Sequence, residues 1–340
     1  MAFAVAAFAW MSHAALADDT LTVVAAFPSA IEAVEHIAEN AGLYKAEHLV
    51  VDKQYAGAAS TCAQLAATGK ADVCATSIEP TIQGYDKGLR LQIFFSRVHA
   101  YLYELVVLDD SPIKSLADFK GQDIGEPNLG ATTEIFANDM LAGAGLRRTD
   151  YSFVPVGVGA QAMSALITHK VAGFTITSMD RVQAEAVSHL KFRSFRDPIL
   201  ADIPNSGFAA SPATIAAKGD VLQRFTRAIV KAAILMRVNP QAAARLALMG
   251  EHSQPITPDA LNAQTAQFVA LQDVLAAADP SSPRIGYTPL GGMAIYNRFF
   301  YNAGLTSTLV PATAIVTNQF IPYANDFDKS AWIADVRKMR

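Results

Sequence analysis

Wherever a β-rich run of this chain gives way to a helical one, small and hydroxyl-bearing residues fill the junction. Phe27-Pro28-Ser29 follows the first such run, Gly57-Ala58-Ala59-Ser60-Thr61 the second, and Thr76-Ser77-Ile78-Glu79-Pro80 the third. Further along, Asn128-Leu129-Gly130-Ala131-Thr132-Thr133 and Gly157-Val158-Gly159-Ala160-Gln161 open two more helices, and Thr175, Thr177 and Ser178 close the last β-rich run. The chemistry such residues offer is capture, not bond breaking. The free N–H groups of a helix's first turn, with nearby hydroxyls, replace water around an anionic or strongly polar group. Helix capping alone accounts for a hydroxyl in any single junction. Their recurrence along one predicted sheet edge, in two separate blocks of the chain, points to a ligand cleft.

Charged candidates are sparse. Glu79 and Glu126 suit an amine on a ligand and Arg97 and Arg181 suit an acid, while the plainer reading of each is a solvated surface charge. Phe27, Phe174 and Phe208 have the right surface to stack on a ring, although strand phenylalanines are more often core. No H-E-x-x-H, G-x-S-x-G, C-x-x-C or P-loop pattern occurs, and the seven histidines are scattered without metal-ligand spacing. The expectation is a protein with no catalytic residue, metal or cofactor. Catalytic groups that meet only in space keep an enzyme as the alternative. Gly157-Val158-Gly159-Ala160-Gln161-Ala162 matches a dinucleotide-binding G-x-G-x-x-A, with Asp180 near the place of a ribose-binding acid. In nucleotide folds that motif sits on the first βα turn; in this chain it lies mid-sequence, so it reads as one more anion-capturing helix start.

An alternating framework is needed to position these junctions. Leu21–Phe27, Leu49–Tyr55, Val73–Thr76, Leu91–Ser96 and Leu105–Leu108 read as strands, with helices over Ala30–Asn40 and Cys62–Thr68 between the first three. Asp109-Asp110-Ser111-Pro112 breaks the pattern. A second block follows: strand Asp123–Gly125, helix Thr133–Ala142, strand Ser152–Val156, helix Gln161–His169 and strand Gly173–Thr177. It fades between Pro198 and Pro212. Beyond that the chain is helical, with Leu222, Phe225, Ile229, Ala233 and Met236 on one stripe and further helices over Pro258–Ala278 and Gly291–Ala303. Short loops between alternating elements predict parallel βαβ units and doubly wound sheets. No internal repeat is visible. The layout predicts two lobes, residues 18–109 with 206–340 forming one and 110–205 the other. The chain would then cross between them near 108–112 and 205–212, at a hinge.

Met1–Ala17 holds no Asp, Glu, Lys or Arg, is apolar from Ala2 to Trp10, and ends on Ala15-Leu16-Ala17 before Asp18-Asp19. This reads as a secretory signal peptide cleaved after Ala17, too short to span a bilayer, although it has no basic residue before the apolar run. About 320 residues remain, enough for two cores. A hydrophobic content of 51% with 17% charged residues fits a well-buried α/β protein, and a net charge of −4 without a basic block excludes nucleic acid as the natural partner. Cys62 and Cys74 flank a predicted helix-turn-strand, so a disulfide is geometrically open to them; two buried free thiols are the simpler expectation.

Four stretches resemble a known family. Ala38-Glu39-Asn40-Ala41-Gly42-Leu43-Tyr44-Lys45-Ala46-Glu47 is similar to the A-E-x-x-G-L-F/Y-x-x-E segment of taurine/nitrate/sulfonate and thiamine-pyrimidine solute-binding proteins, and Gly69-Lys70-Ala71-Asp72-Val73 to their turn into a strand. Ser111-Pro112-Ile113-Lys114-Ser115-Leu116-Ala117-Asp118-Phe119-Lys120-Gly121 resembles their S-P-I-K-S-L-A-D-L-K-G most closely. Ala165-Leu166-Ile167 with Val171-Ala172-Gly173 follows a fourth pattern, departing at His169 and Gly173. The resemblance runs from about residue 20 to 240. It implies a two-lobed periplasmic-binding-protein fold of the second type, with a hinge and C-terminal helices. It also implies a periplasmic monomer that delivers a small-molecule ligand to the membrane permease of an ABC importer. Sulfonates, nitrate, aromatic carboxylates and pyrimidines all occur as ligands in that family, so the ligand stays open. The ligand-binding set expected from the strand-to-helix junctions is Phe27, Pro28, Ser29, Gly57, Ser60, Thr61, Ser77, Glu79, Asn128, Thr132, Thr133, Gly159, Gln161, Thr177 and Ser178.

Overall fold

A computed structural model describes residues 18–28, 31–99, 103–128, 132–196, 203–251, 256–272, 274–277 and 279–339. The signal-peptide reading of Met1–Ala17, the junction residue Ser29 and the side chain of Thr132 lie outside what is described.

The strands divide between two mixed sheets. β1 (Asp19–Ala25), β2 (Leu49–Tyr55), β3 (Val73–Ser77) and β4 (Gln92–Val98) belong to the first. β5 (Tyr103–Leu108), β6 (Asp123–Glu126), β7 (Ser152–Pro155), β8 (Gly173–Thr177) and β9 (Phe192–Phe195) make the second, and β10 (Ser206–Ala210) returns to the first. The first sheet runs β2-β1-β3-β10-β4 and the second β7-β6-β8-β5-β9. β1 pairs parallel with β2 and β3, as β6 does with β7 and β8, and β10 and β5 are the antiparallel fourth strands. The same architecture therefore occurs twice, although no sequence repeat announces it.

Two expectations change. The first crossing lies between Val98 and Tyr103, not at 108–112, because β5 pairs with β8 and β9 and so belongs to the second lobe. The stretch between Pro198 and Pro212 also contains a central strand. Ser206-Gly207-Phe208-Ala209-Ala210 carries little β propensity, but β3 and β4 flank it on both sides and bury all five residues. A Cβ on Gly207 would stand 2.7 Å from the Phe95 carbonyl oxygen, so the close approach of β4 admits only glycine there.

In the first lobe α1 (Ala33–Asn40) and α2 (Leu43–Ala46) connect β1 to β2, α3 (Ala59–Ala67) connects β2 to β3, and α4 (Glu79–Asp86) connects β3 to β4. The second lobe contributes α5 (Thr132–Gly143), α6 (Ala160–Ile167) and α7 (Ser178–Ser188). After β10 come α8 (Pro212–Ala217), α9 (Gly219–Val238), α10 (Pro240–Glu251), α11 (Pro258–Leu271) and α12 (Leu290–Asn302). Three short helices follow: α13 (Ala312–Ile315), α14 (Ile321–Asn325) and α15 (Lys329–Val336). The stripe Leu222, Phe225, Ile229, Ala233 and Met236 turns α9 onto the first sheet, where Phe225 meets Phe208 edge-on at 5.1 Å and stacks on Tyr44 at 5.7 Å. Each fully buried side chain of this kind contributes about 1.5–3 kcal/mol. In β5, Leu105 and Val107 join one core of the second lobe and Val106 the other, the period-2 alternation of a strand covered on both faces.

The stretches that carry the family resemblance are framework. Ser115 and Asp118 form a capping box whose Asp118 carboxylate accepts from the N–H groups of Lys114 and Ser115, both at 2.8 Å. Asp72 accepts from the Thr22 N–H at 2.9 Å and from Lys218 Nζ at 2.8 Å. Asn40 donates to the Leu246 carbonyl at 2.8 Å, pinning α1 to α10. Cys62 and Cys74 are joined in a disulfide, against the expectation of free thiols. α3 turns at Gly69 and runs back beside β3, which leaves the two Cα atoms 5.4 Å apart, inside the range a disulfide spans.

Candidate functional site

Both crossings leave from carboxyl edges. β4 ends at Val98 and β9 at Phe195, while β5 and β10, being antiparallel, begin at those same edges. Two connections tying carboxyl edge to carboxyl edge turn those edges toward each other. At their meeting point the Asn205 N–H donates to the Val98 carbonyl at 3.0 Å, and the Ile78 N–H donates to the Asn205 carbonyl at 3.1 Å. Tyr103 sits among Glu79 of the first lobe, Asp180 of the second and the Asn205 side chain; burial and then Glu79 raise its hydroxyl pKa.

On the first lobe the expected residues follow the strand ends. Phe27 and Pro28 leave β1 exposed, Phe27 at 55%. Gly57 lies beside them, its N–H donating to the Ala26 carbonyl at 3.0 Å, with φ at +73°. Ser60 and Thr61 are exposed but already inside the first turn of α3, whose cap is Ala58 and carries no side-chain hydrogen bond. The helix starts earlier than its apolar spacing indicates. Ser77 ends β3 half-buried, and Glu79 opens α4 buried, accepting from the Tyr296 hydroxyl at 2.7 Å.

On the second lobe a cavity of about 800 Å3 lies between α6 and α7 above β8. Thr133, Gly159 and Thr177 line it, with Pro127 and Asp180. The buried Thr133 hydroxyl accepts from Thr175 at 3.0 Å. Gly159 caps α6 at φ +60° and ψ −131°, a backbone state essentially confined to glycine. Thr177 caps α7, accepting from the Asp180 N–H at 3.1 Å. Asn128 and Gln161 are exposed and stand outside the lining. Ser178 also stands outside it, donating to the Glu104 carboxylate.

Three of the charged candidates, Glu79, Arg97 and Arg181, are engaged within their own lobes. Arg181 Nε donates to Glu104 at 2.7 Å, where Ser194 and Arg196 also donate. Burial would raise the Glu104 carboxyl, but these hydrogen bonds and charges hold it below the usual carboxylate range. Arg97 is buried, pairs through both terminal nitrogens with Glu32, and donates to Ser206 Oγ at 2.8 Å. That last bond ties the end of β4 to the start of β10. Glu35 lies 3.6 Å from Arg97 and 3.8 Å from Lys53 Nζ, and burial pushes its carboxyl up to about 7. Glu126, buried at the end of β6, is also pushed up to about 7 by burial and by Glu134 beside it. Phe174 and Phe208 are core. The long-range partners Glu32 and Glu104 carry no local sequence signal. Glu104 lies 77 residues from Arg181 and Glu32 lies 65 from Arg97.

Among the described residues no cluster of three or more His, Cys, Asp or Glu is arranged to hold a metal. The cavity lining brings together the hydroxyls of Thr133, Thr175 and Thr177, the helix start at Gly159 and the Asp180 carboxylate, groups that can hold a polar ligand. The model of the NMT1/THI5-like family matches residues 33–243. The chain belongs to that family. No curated protein matches the sequence. In fold this NMT1/THI5-like chain is similar to the periplasmic aliphatic sulphonate-binding protein SsuA of Escherichia coli, with a TM-score of 0.64 and 16% identity over 88% of this chain and 92% of that one. It is similar, too, to a putative periplasmic sulfonate-binding SsuA from Methylobacillus flagellatus KT, at a TM-score of 0.65 and 18% identity over 91% and 94%. DszB bound to biphenyl-2-sulfinic acid shares the fold at a TM-score of 0.60 and 15% identity over 90% and 99%.

Proposed function

We propose that this chain is an exported, monomeric solute-binding protein. It captures a small polar or anionic organic molecule, a sulfonate, carboxylate or similar, and hands it unchanged to the membrane permease of an ABC importer. One observation carries the reading: two crossings join two like sheets carboxyl edge to carboxyl edge, and a roomy cavity lined by Thr133, Gly159 and Thr177 opens on one side of that junction. The family match and the likeness to sulfonate-binding proteins support it. Among the described residues no helix is long and apolar enough to cross a membrane.

In this mechanism the ligand's head group meets the Thr133 hydroxyl and the first N–H groups of α6 on the second lobe. Exits of β1 and β2, with Phe27, Pro28, Gly57, Ser60 and Thr61, then close over it from the first. Because each half supplies only part of the contacts, each binds weakly alone. A ligand that contacts both favours the closed form by the difference in its affinity for the two states.

A thermal-shift screen of sulfonates, carboxylates, nitrate and pyrimidines tests the reading, since a ligand at about 100 times its Kd adds about 2.7 kcal/mol. The bound compound, recovered and weighed by mass spectrometry, should be unaltered. The likeness to DszB favours a second reading, an enzyme on the same fold acting on a small organic acid or pyrimidine precursor. A recovered product in place of the ligand would establish that second reading.

A further inference from the structure

The cavity of the second lobe is larger than a head group needs. At about 800 Å3 it falls in the range that encloses drug-sized molecules. Four of its polar residues, Thr133, Thr175, Thr177 and Asp180, gather where strands β6 and β8 end, while Ser164, Thr168 and Ser188 lie further along, the Thr168 and Ser188 hydroxyls donating back to the Ser164 and Ala184 carbonyls of their own helices. From there the cavity follows the whole of α6, past Met163 to Ile167, with Phe174 and Ile176 of β8 as its floor and Ala184 of α7 as its far wall. Two large apolar side chains stand exposed on the α6 side, Val158 at 68% and Ile167 at 47%. A largely apolar channel that starts at a polar mouth and keeps its rim side chains in water suits an apolar occupant.

We infer that the ligand is an amphiphile whose apolar tail lodges inside the second lobe, between α6 and α7, while its polar head stays at the Thr133–Gly159 mouth. The inference rests on the reading of that mouth as the head-group site. Continuity decides the occupant: channel and mouth are one cavity, so the molecule that fills one end reaches the other. The eight residues of α6 span about 10 Å. An extended chain advances roughly 1.2 Å per backbone bond, so a tail of about eight carbons, or an aryl group of that length, fills the channel. The substrate class is thus a medium-chain alkyl or aryl acid, in place of a two-carbon acid that fits wholly between the lobes. Because the tail site lies within one lobe, it forms before closure. Long ligands then dock on the second lobe first.

Titration calorimetry of the full chain with linear 1-alkanesulfonates of two to ten carbons, and with the matching n-alkylcarboxylates, tests this. Kd should fall about fourfold per added methylene and level off near eight carbons. Ala184→Phe narrows the channel from α7 and Ser164→Phe, at an exposed position, narrows it from α6. In each, the ratio of Kd for ethanesulfonate to that for octanesulfonate should collapse toward one, with circular dichroism confirming the fold. Having two variants on different helices guards against one that does not fold. If chain length leaves Kd flat, or both folded variants keep the native ratio, the tail site is wrong while the head-group reading stands. If folded protein binds no member of either series, the head-group reading itself is wrong and the tail site goes with it.

Discussion

Phe136 of the second lobe lies flat against Phe299 of the first, ring centroids 4.8 Å apart and planes within 4° of parallel. Phe136 is fully buried, and it also stacks on Tyr103 at 5.3 Å and tilts toward Tyr296 at 5.9 Å. It belongs to α5, the helix that opens at Thr132 and Thr133, whereas Phe299 belongs to α12, packed under the first sheet. The helix nearest the proposed head group is therefore anchored across the lobe boundary. A rocking motion has to slide this stack.

That anchor predicts an energetic coupling. Phe136→Leu and Phe299→Leu keep most of the apolar volume and remove the ring contact. A double-mutant cycle on urea stability should return a coupling of about 0.5–1.5 kcal/mol. Additivity within about 0.3 kcal/mol would show that the two rings merely share a neighbourhood.

The carboxyl of Glu35 predicts a pH dependence. Burial raises it from 4.5 to about 7, Lys53 opposes that, Glu32 reinforces it and Arg97 opposes it. A carboxyl whose folded pKa is raised binds more protons folded than unfolded between those two values. Its contribution to stability is then complete below pH 4.5 and is lost as pH rises through about 7. His36 acts in the opposite sense. Burial, then Lys53, pushes it from 6.5 down to about 4, so its contribution is lost as pH falls through that window. Measuring Glu35→Gln against the native chain isolates the carboxyl: the variant should gain relative stability steadily from about pH 5 to about pH 8. A difference curve that is flat, or that slopes the other way, would remove Glu35 from the account.

How far these features were legible in the chain depends on their range. The alternation of strands and helices, the stripe on α9 and the capping-box stretch Ser111–Gly121 are local, and they were readable. β10 was not, because Ser206–Ala210 becomes a strand only through β3 and β4 on either side of it. Arg97 and Arg181 looked available as ligand partners because Glu32 and Glu104 lie far away in sequence. The cavity's apolar body was equally hidden. Phe174 read as ordinary core, Met163 and Ile176 carried no signal of their own, and only the packing of α6 and α7 over β8 opens a channel beside them. The four resemblance motifs specify framework contacts, which is why they point to a fold and leave the ligand open.

The Cys62–Cys74 disulfide predicts a stability cost on reduction. It closes a loop of 12 residues, and loops near this length constrain the unfolded chain by about 3 kcal/mol. Cys62→Ala/Cys74→Ala should therefore lower unfolding stability by about 2–4 kcal/mol in urea, and a reductant should do the same to the native chain alone. Equal stability with and without reductant would mean that the pair does not form in solution.

The last prediction concerns Gly159, at the head-group mouth. Its φ of +60° with ψ of −131° aims the first N–H groups of α6, and a Cβ added there meets nothing within 4 Å. Space is thus no obstacle to Gly159→Ala; the obstacle is backbone strain, worth about 1–3 kcal/mol if the native conformation is kept. The junction relaxes that strain most easily by rotating, which turns the N–H groups away from the mouth. The variant should lose no more than about 3 kcal/mol of stability, while affinity for any head group falls at least about tenfold, the equivalent of one lost buried hydrogen bond. Gly57→Ala supplies the control: it has a similar positive φ of +73° and equal open space, but it lies on the other lobe. It strains a junction that meets the ligand only after closure, so its effect should fall mainly on the dissociation rate of the closed complex. Calorimetry and stopped-flow dissociation on both variants separate the two lobes. If Gly159→Ala folds and binds with native affinity, the helix start of α6 does not hold the head group.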